Sequence, residues 1–400
     1  MLDVDAHRSH RTHDIVWSGV ADDLVTEYSR RMLMSLPRRD QRENGELYVS
    51  GLLSLTSRKS MRSIASTCGG GAVEQRLHHF ISKSSWDWVP VRRALAADLD
   101  QALDPLAWVV KPMVVIKAGE HTVGVTESFV PQMGRVVNNQ RAYSLWLAND
   151  THSTPVNSRL RLCAAWLADA ERRRRAEIPP GIIADDDVPS AAAVALELRG
   201  WGLRPRPVVA EAREEDVTAL VGHFSAAGVP FVLRIGGATR LIPRRAMREG
   251  RAVRMVSAQH LAEGADVRSS QVRWAATGPD GQTARVTSTD VVLSPGPGTP
   301  LLRLVGAQRP GDRRTRELWL SNMTEAPAGL VVRLGRLTER VDRDFTDIGT
   351  KTGATDFEGR TFAGWHRHTT LSAVAQAIVT VSAVRDQALE PPRGESLQYV

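Results

Sequence analysis

Side chains able to do chemistry are sparse along this chain and fall into few groupings. Arg172, Arg173, Arg174 and Arg175 are consecutive; such a run can grip phosphates or simply form a solvated helix face. His78-His79 and His366-Arg367-His368 offer metal-ligand chemistry, but no third ligand stands at a matching spacing, so surface or packing roles are expected. Cys68 and Cys163 lie far apart with no paired spacing. They argue against a disulfide framework and a four-ligand zinc site, read as inert, and fit a reducing cytoplasm. Trp86, Trp88 and Trp365 read as core residues rather than base-stacking platforms.

The chain that must position these groups has 400 residues, enough for two or three domains. Its 42% hydrophobic and 24% charged residues are those of a globular protein, not a disordered one. The net charge is +7, and only five of the 52 basic residues are Lys. That mild basicity permits a phosphate-bearing partner without demanding one. The longest weakly polar run, Leu371 to Val384, is well short of the roughly 20 residues of a spanning helix. Asp3, Asp5 and His7 open the chain with no apolar stretch behind them, so no secretory signal is expected.

Hydrophobic periodicity predicts helices from 15 to 103, with a capped start near Ser57 and a break at Gly69-Gly70-Gly71. Strands follow at Trp108 to Ile116, His121 to Phe129 and Asn138 to Leu147. A helix is expected at Val188 to Arg199, a strand at Pro207 to Ala210, a helix at Glu214 to Ala227 and a strand at Val229 to Ile235. A meander followed by helix, strand, helix, strand is the order of an RNase H-like α/β domain. Short strands at Val253 to Val256, Gln271 to Ala276, Thr283 to Ser288, Val291 to Leu293 and Leu318 to Ser321, with a Pro279-Asp280-Gly281 hairpin, suggest a β-rich insertion. Helices at Val331 to Ile348 and Thr369 to Val384 then return. The expected fold class is α/β: an N-terminal helical domain (1–103), an RNase H-like domain in two parts (104–239 and 327–390), the β-rich insertion between them (240–326) and a tail (391–400).

Several segments in a fixed order resemble one family. Gly51-Leu52-Leu53 with Arg58-Lys59-Ser60-Met61, and Leu77-His78-His79-Phe80 leading to Trp86, are similar to its N-terminal helices. Trp108-Val109-Val110, Lys117, Gly119 and His121-Thr122-Val123-Gly124-Val125 resemble its first catalytic strand and hairpin. Arg135, Asn138-Asn139-Gln140, Ser144-Leu145, Pro155-Val156-Asn157 and Ile178-Pro179 continue the match. Phe357-Glu358-Gly359-Arg360 and Gly364-Trp365-His366-Arg367-His368 close it. On these pieces the chain resembles the bacterial insertion-sequence DDE transposases with an inserted β-domain.

The resemblance implies two divalent metals on three carboxylates, clamping the attacking and leaving oxygens of a phosphodiester. The sequence departs at all three positions. Lys111 stands where the first Asp is expected, Glu211 at the second, and Asp347, ten residues before Phe357, at the Glu. An ammonium has donors only and ligates no metal. The expectation is therefore a metal-free centre in which Lys111 pairs with Glu211, Asp347 or both. No catalytic residue and no cofactor are then expected. The implied role is a transposase-derived, catalytically inactive DNA-binding protein, a regulator or architectural factor, in the cytoplasm or on the nucleoid. Double-stranded DNA would meet Arg58, Lys59, Arg62 and Arg172 to Arg175, with a homodimer and a small-molecule effector as further partners. The alternatives are a residual Mg²⁺- or Mn²⁺-dependent nuclease on Glu211 and Asp347, and a pocket re-purposed around Lys111 for a ligand or for new base or nucleophile chemistry.

Overall fold

The computed structural model describes Trp17 and residues 20–389, apart from positions 185, 214, 249–253, 266, 275–281, 297, 313 and 316. Helices α1 (Asp22–Met32), α2 (Arg39–Ser54), α3 (Met61–Thr67), α4 (Gly71–Ser82) and α5 (Val89–Leu103) come first. The cap of α3 is Ser60, whose hydroxyl accepts from the Ser63 N–H at 3.1 Å, rather than Ser57. Strands β1 (Ala107–Ile116), β2 (Val125–Val130), β3 (Arg135–Ala148) and β4 (Ser153–Leu160) follow. β1, β2 and β4 all pair antiparallel with β3. β4 is a strand the periodicity missed.

After α6 (Ala164–Ala168), α7 (Ala170–Arg175) and α8 (Asp187–Leu196) the chain returns to the sheet as β5 (Val208–Glu211), crosses through α9 (Val217–Ala226) and lays down β6 (Phe231–Arg234). β1, β5 and β6 are parallel neighbours. Next come β7 (Arg240–Pro243), α10 (Arg244–Arg248), β8 (Val256–Ser257), α11 (Ala258–Glu263), β9 (Arg268–Trp274), β10 (Gln282–Val292), β11 (Leu302–Gln308) and β12 (Glu317–Ser321). β10 is one strand where two were expected. The Pro279-Asp280-Gly281 turn lies outside the described residues, but β9 and β10 pair antiparallel on either side of it.

These strands form one mixed 12-stranded sheet, ordered β2-β3-β1-β5-β6-β12-β11-β10-β7-β8, with β4 on β3 and β9 on β10. Helices α12 (Ala328–Gly335) and α13 (Leu337–Asp344), a π-turn at Phe345–Gly349 and the 28-residue α14 (Phe362–Leu389) complete the chain. The α/β class is thus observed. The expected tail, 391–400, lies outside the described residues.

Alternation along β1 decides what each sheet face buries. Trp108 and Val110 face a large core that also holds Val20, Leu52, Leu95, Leu145 and Val374, so the first helices and α14 share one apolar interior. Ala107 and Val109 face the other way, under Val331, Leu334 and Val341 of α12 and α13. α14 is buried almost throughout yet rich in polar residues. Its Arg367 donates to the Ile81 and Trp86 carbonyls, and its His368 bonds Tyr48 and the Gly353 carbonyl. Among the described residues no helix is long and apolar enough to cross a membrane.

Candidate functional site

Three parallel neighbours carry charge on the same sheet face: β5 and β6 end there, and β1 carries Lys111 just past its pairing with β5. Val109, Val209 and Val232 line the α12/α13 side, and the two-residue period puts Lys111, Glu211 and Arg234 on that side at the next step. The register pairs Glu211 with Arg234 directly and, one step beyond Val110 and Ala210, sets Lys111 beside Glu211. Pro112 fits here because the Trp108 N–H points to the β5 side. The same parity turns the missing N–H of Pro112 past the end of β5, where no ladder bond is lost.

α13 lies over this row and completes it. The Lys111 ammonium donates to Asp342 Oδ1 at 2.5 Å and sits 4.8 Å from the centre of the Phe345 ring. The Arg213 guanidinium grips both Glu211 oxygens, at 2.8 and 2.9 Å. Arg234 lies 4.0 Å from Glu211 and 3.8 Å from Glu339, one helical turn before Asp342. Three cations and three carboxylates therefore alternate and cancel.

This corrects the expected pairing. Lys111 pairs with Asp342, not with Glu211 or Asp347. α13 ends at Asp344 and carries Asp342 over β1, while Asp347 lies beyond its end on the π-turn. Asp347 is exposed on the π-turn. Asp342, Glu339, Arg213 and Arg234 went unread in the sequence. Arg234 carried a legible signal, since it follows an apolar triplet just as Lys111 and Glu211 do.

A two-metal centre needs oxygen ligands that are free to bind. Here the first position carries an amine, Glu211 is held by a bidentate arginine, and Asp342 is taken by Lys111. This donor set does not fit a divalent ion. Among the described residues no group of three His, Cys, Asp or Glu side chains is gathered as a metal site.

The residues expected to meet DNA separate. Lys59 is 3% exposed; its ammonium donates to the Leu55 carbonyl, and burial pushes its pKa down to about 8. It is a packing lysine, which corrects its expected contact with phosphates. Arg58 pairs with Glu358, while Arg62 is exposed. On α7, Arg172 pairs with Glu120 and Asp169, Arg174 and Arg175 reach Glu171, and Arg173 donates to the Pro179 and Pro180 carbonyls. His78 and His79 are exposed. His366 and His368 are buried: His366 stacks on Trp88 at 4.6 Å, and desolvation lowers the pKa of both, that of His368 to about 4. They have packing roles, not surface ones.

No curated protein matches the chain. A family model described as DDE superfamily endonuclease matches residues 31–287, a span that includes Lys111 and Glu211 but stops before Asp342. With that match over more than half of its length, the chain belongs to the DDE superfamily endonucleases.

Proposed function

We propose that this protein is a transposase-derived DNA-binding protein that has lost strand-transfer chemistry and serves as a regulator or architectural factor. In this reading β1 to β6 with α13 form an RNase H-like core, β7 to β12 form its insertion, and the first five helices form the N-terminal domain. The family supplies the expectation of a DNA substrate, and the centre supplies the loss. One observation carries it: an ammonium on β1, bonded to Asp342, stands where the family's chemistry calls for a metal-binding carboxylate. The neighbouring Glu211 is neutralised by Arg213, so the site is closed by its own ion pairs.

The test is nicking and joining of supercoiled plasmid in Mg²⁺ and in Mn²⁺, run beside duplex binding at several salt concentrations. The reading expects binding that weakens as salt rises, with no metal-dependent cleavage. Cleavage abolished by Glu211→Ala would establish a working nuclease instead.

A further inference from the structure

Five exposed arginines, Arg240, Arg244, Arg245, Arg248 and Arg254, fall within fifteen residues of the insertion, and the one acid in that stretch, Glu249, lies outside the described residues. The fold gathers them. Arg240 opens β7, and Arg244, Arg245 and Arg248 lie on the short α10 that follows it. β8 pairs antiparallel with β7, Leu241 opposite Val256. Continuing that register sets Arg254 beside Pro243, next to Arg244. Among the described residues, Arg240, Arg244, Arg248 and Arg254 have no ion-pair partner. The arginines of α7 contrast with them, since each of those meets a carboxylate or a carbonyl.

Like charges this close repel across less than two Debye lengths, and a surface that leaves four of them without an ion-pair partner among the described residues is poised for an anion. Its shape selects which kind. β7 contributes about 10 Å and α10 about 6 Å, giving a strip of roughly 15 Å beside β8, the last strand of the sheet. At 3.4 Å per phosphate along one strand, that length meets about four phosphates. The strip lies five strands from β5, about 25 Å from Glu211 at the usual strand spacing, so it is no part of the DDE centre.

We infer that the β7–α10 strip is the surface by which this protein holds the sugar-phosphate backbone of duplex DNA. The inference rests on the DNA-binding reading above and names a different face from α7.

Fluorescence anisotropy with a random-sequence duplex of about 30 base pairs, across 50–200 mM salt, tests it. Replacing Arg240, Arg244, Arg248 and Arg254 together by Ser should make the slope of log K against log salt shallower by about 3.6, so that the wild type loses about 150-fold more affinity over that range than the variant. Arg172→Ser with Arg174→Ser should change the slope by less than one. Arg244→Glu with Arg248→Glu, two exposed helix positions, repeats the test should the fourfold variant fold poorly, and should weaken binding further. An unchanged slope in folded variants overturns the inference and leaves DNA binding standing. No duplex binding by the wild type, or binding to anionic vesicles alone, overturns both.

Discussion

Replacing Lys111 by Asp probes the charge balance at the centre of the sheet. The wild-type cluster holds Lys111, Arg213 and Arg234 against Glu211, Glu339 and Asp342. The substitution leaves two cations facing four carboxylates. Two like charges about 4 Å apart repel by about 4 kcal/mol at an effective dielectric constant of 20. The side chain of Asp342 is 65% exposed, which screens that figure to about half. Loss of the original pair and of the contact with Phe345 adds about 1 kcal/mol. Lys111→Asp should therefore lose about 3 kcal/mol, and Lys111→Met, which keeps the stem but not the charge, about 1 kcal/mol. Urea unfolding followed by tryptophan fluorescence measures both. The Asp variant also adds a carboxylate beside Glu211 and Asp342, so Mn²⁺ at a hundred times its Kd should restore about 2.7 kcal/mol there and nothing in the wild type. If Lys111→Asp were as stable as the wild type without metal, the ammonium would not be holding the centre together.

Four further outcomes follow from the interior. Arg92 is buried and donates to Thr370, Asn157, the Ser158 carbonyl and His366, so Arg92→Lys, lacking the planar fork, should cost about 3–5 kcal/mol, read as urea midpoint and soluble yield. A Cβ at Gly335 would lie 2.1 Å from Trp319 Nε1, so Gly335→Ala should cost about 2–3 kcal/mol by the same midpoint. Burial lowers the His368 pKa to about 4, so its neutral form is favoured in the folded state: stability is fully present above the unfolded value near 6.5 and falls as pH drops towards 4, by about 1.4 kcal/mol per pH unit. Urea midpoints between pH 7 and 4 should show that loss in the wild type and a smaller one in His368→Asn. Ser60→Ala removes the α3 cap and should lose about 1 kcal/mol.

Legibility followed the strength of local pattern. The bounds of α5 and the centre of β1 were plain because their apolar spacing is regular. β4 was hidden by its polar, proline-bearing sequence and a bulge opposite Leu145 and Trp146. β10 read as two strands because Thr289 and Asp290 interrupt its pattern, although the ladder to β11 runs through them. Lys59 looked like surface, since nothing local shows that a charge will be buried against a carbonyl. At the site, Lys111 and Glu211 stood out in the sequence because each follows an apolar triplet of its strand. Asp342 did not stand out, because the π-turn lies between α13 and the Phe357 segment, so counting back from Phe357 reaches Asp347 rather than the residue that bonds Lys111.

Calorimetric titration of Mn²⁺ into the wild-type protein and into Lys111→Asp tests the central claim most directly. The ion-paired centre predicts no saturable heat in the wild type and a binding step in the variant. A stoichiometric wild-type site that disappears in Glu211→Ala and Asp342→Asn would show that divalent ions share the centre of the sheet with Lys111, and would contradict a metal-free, ion-paired centre.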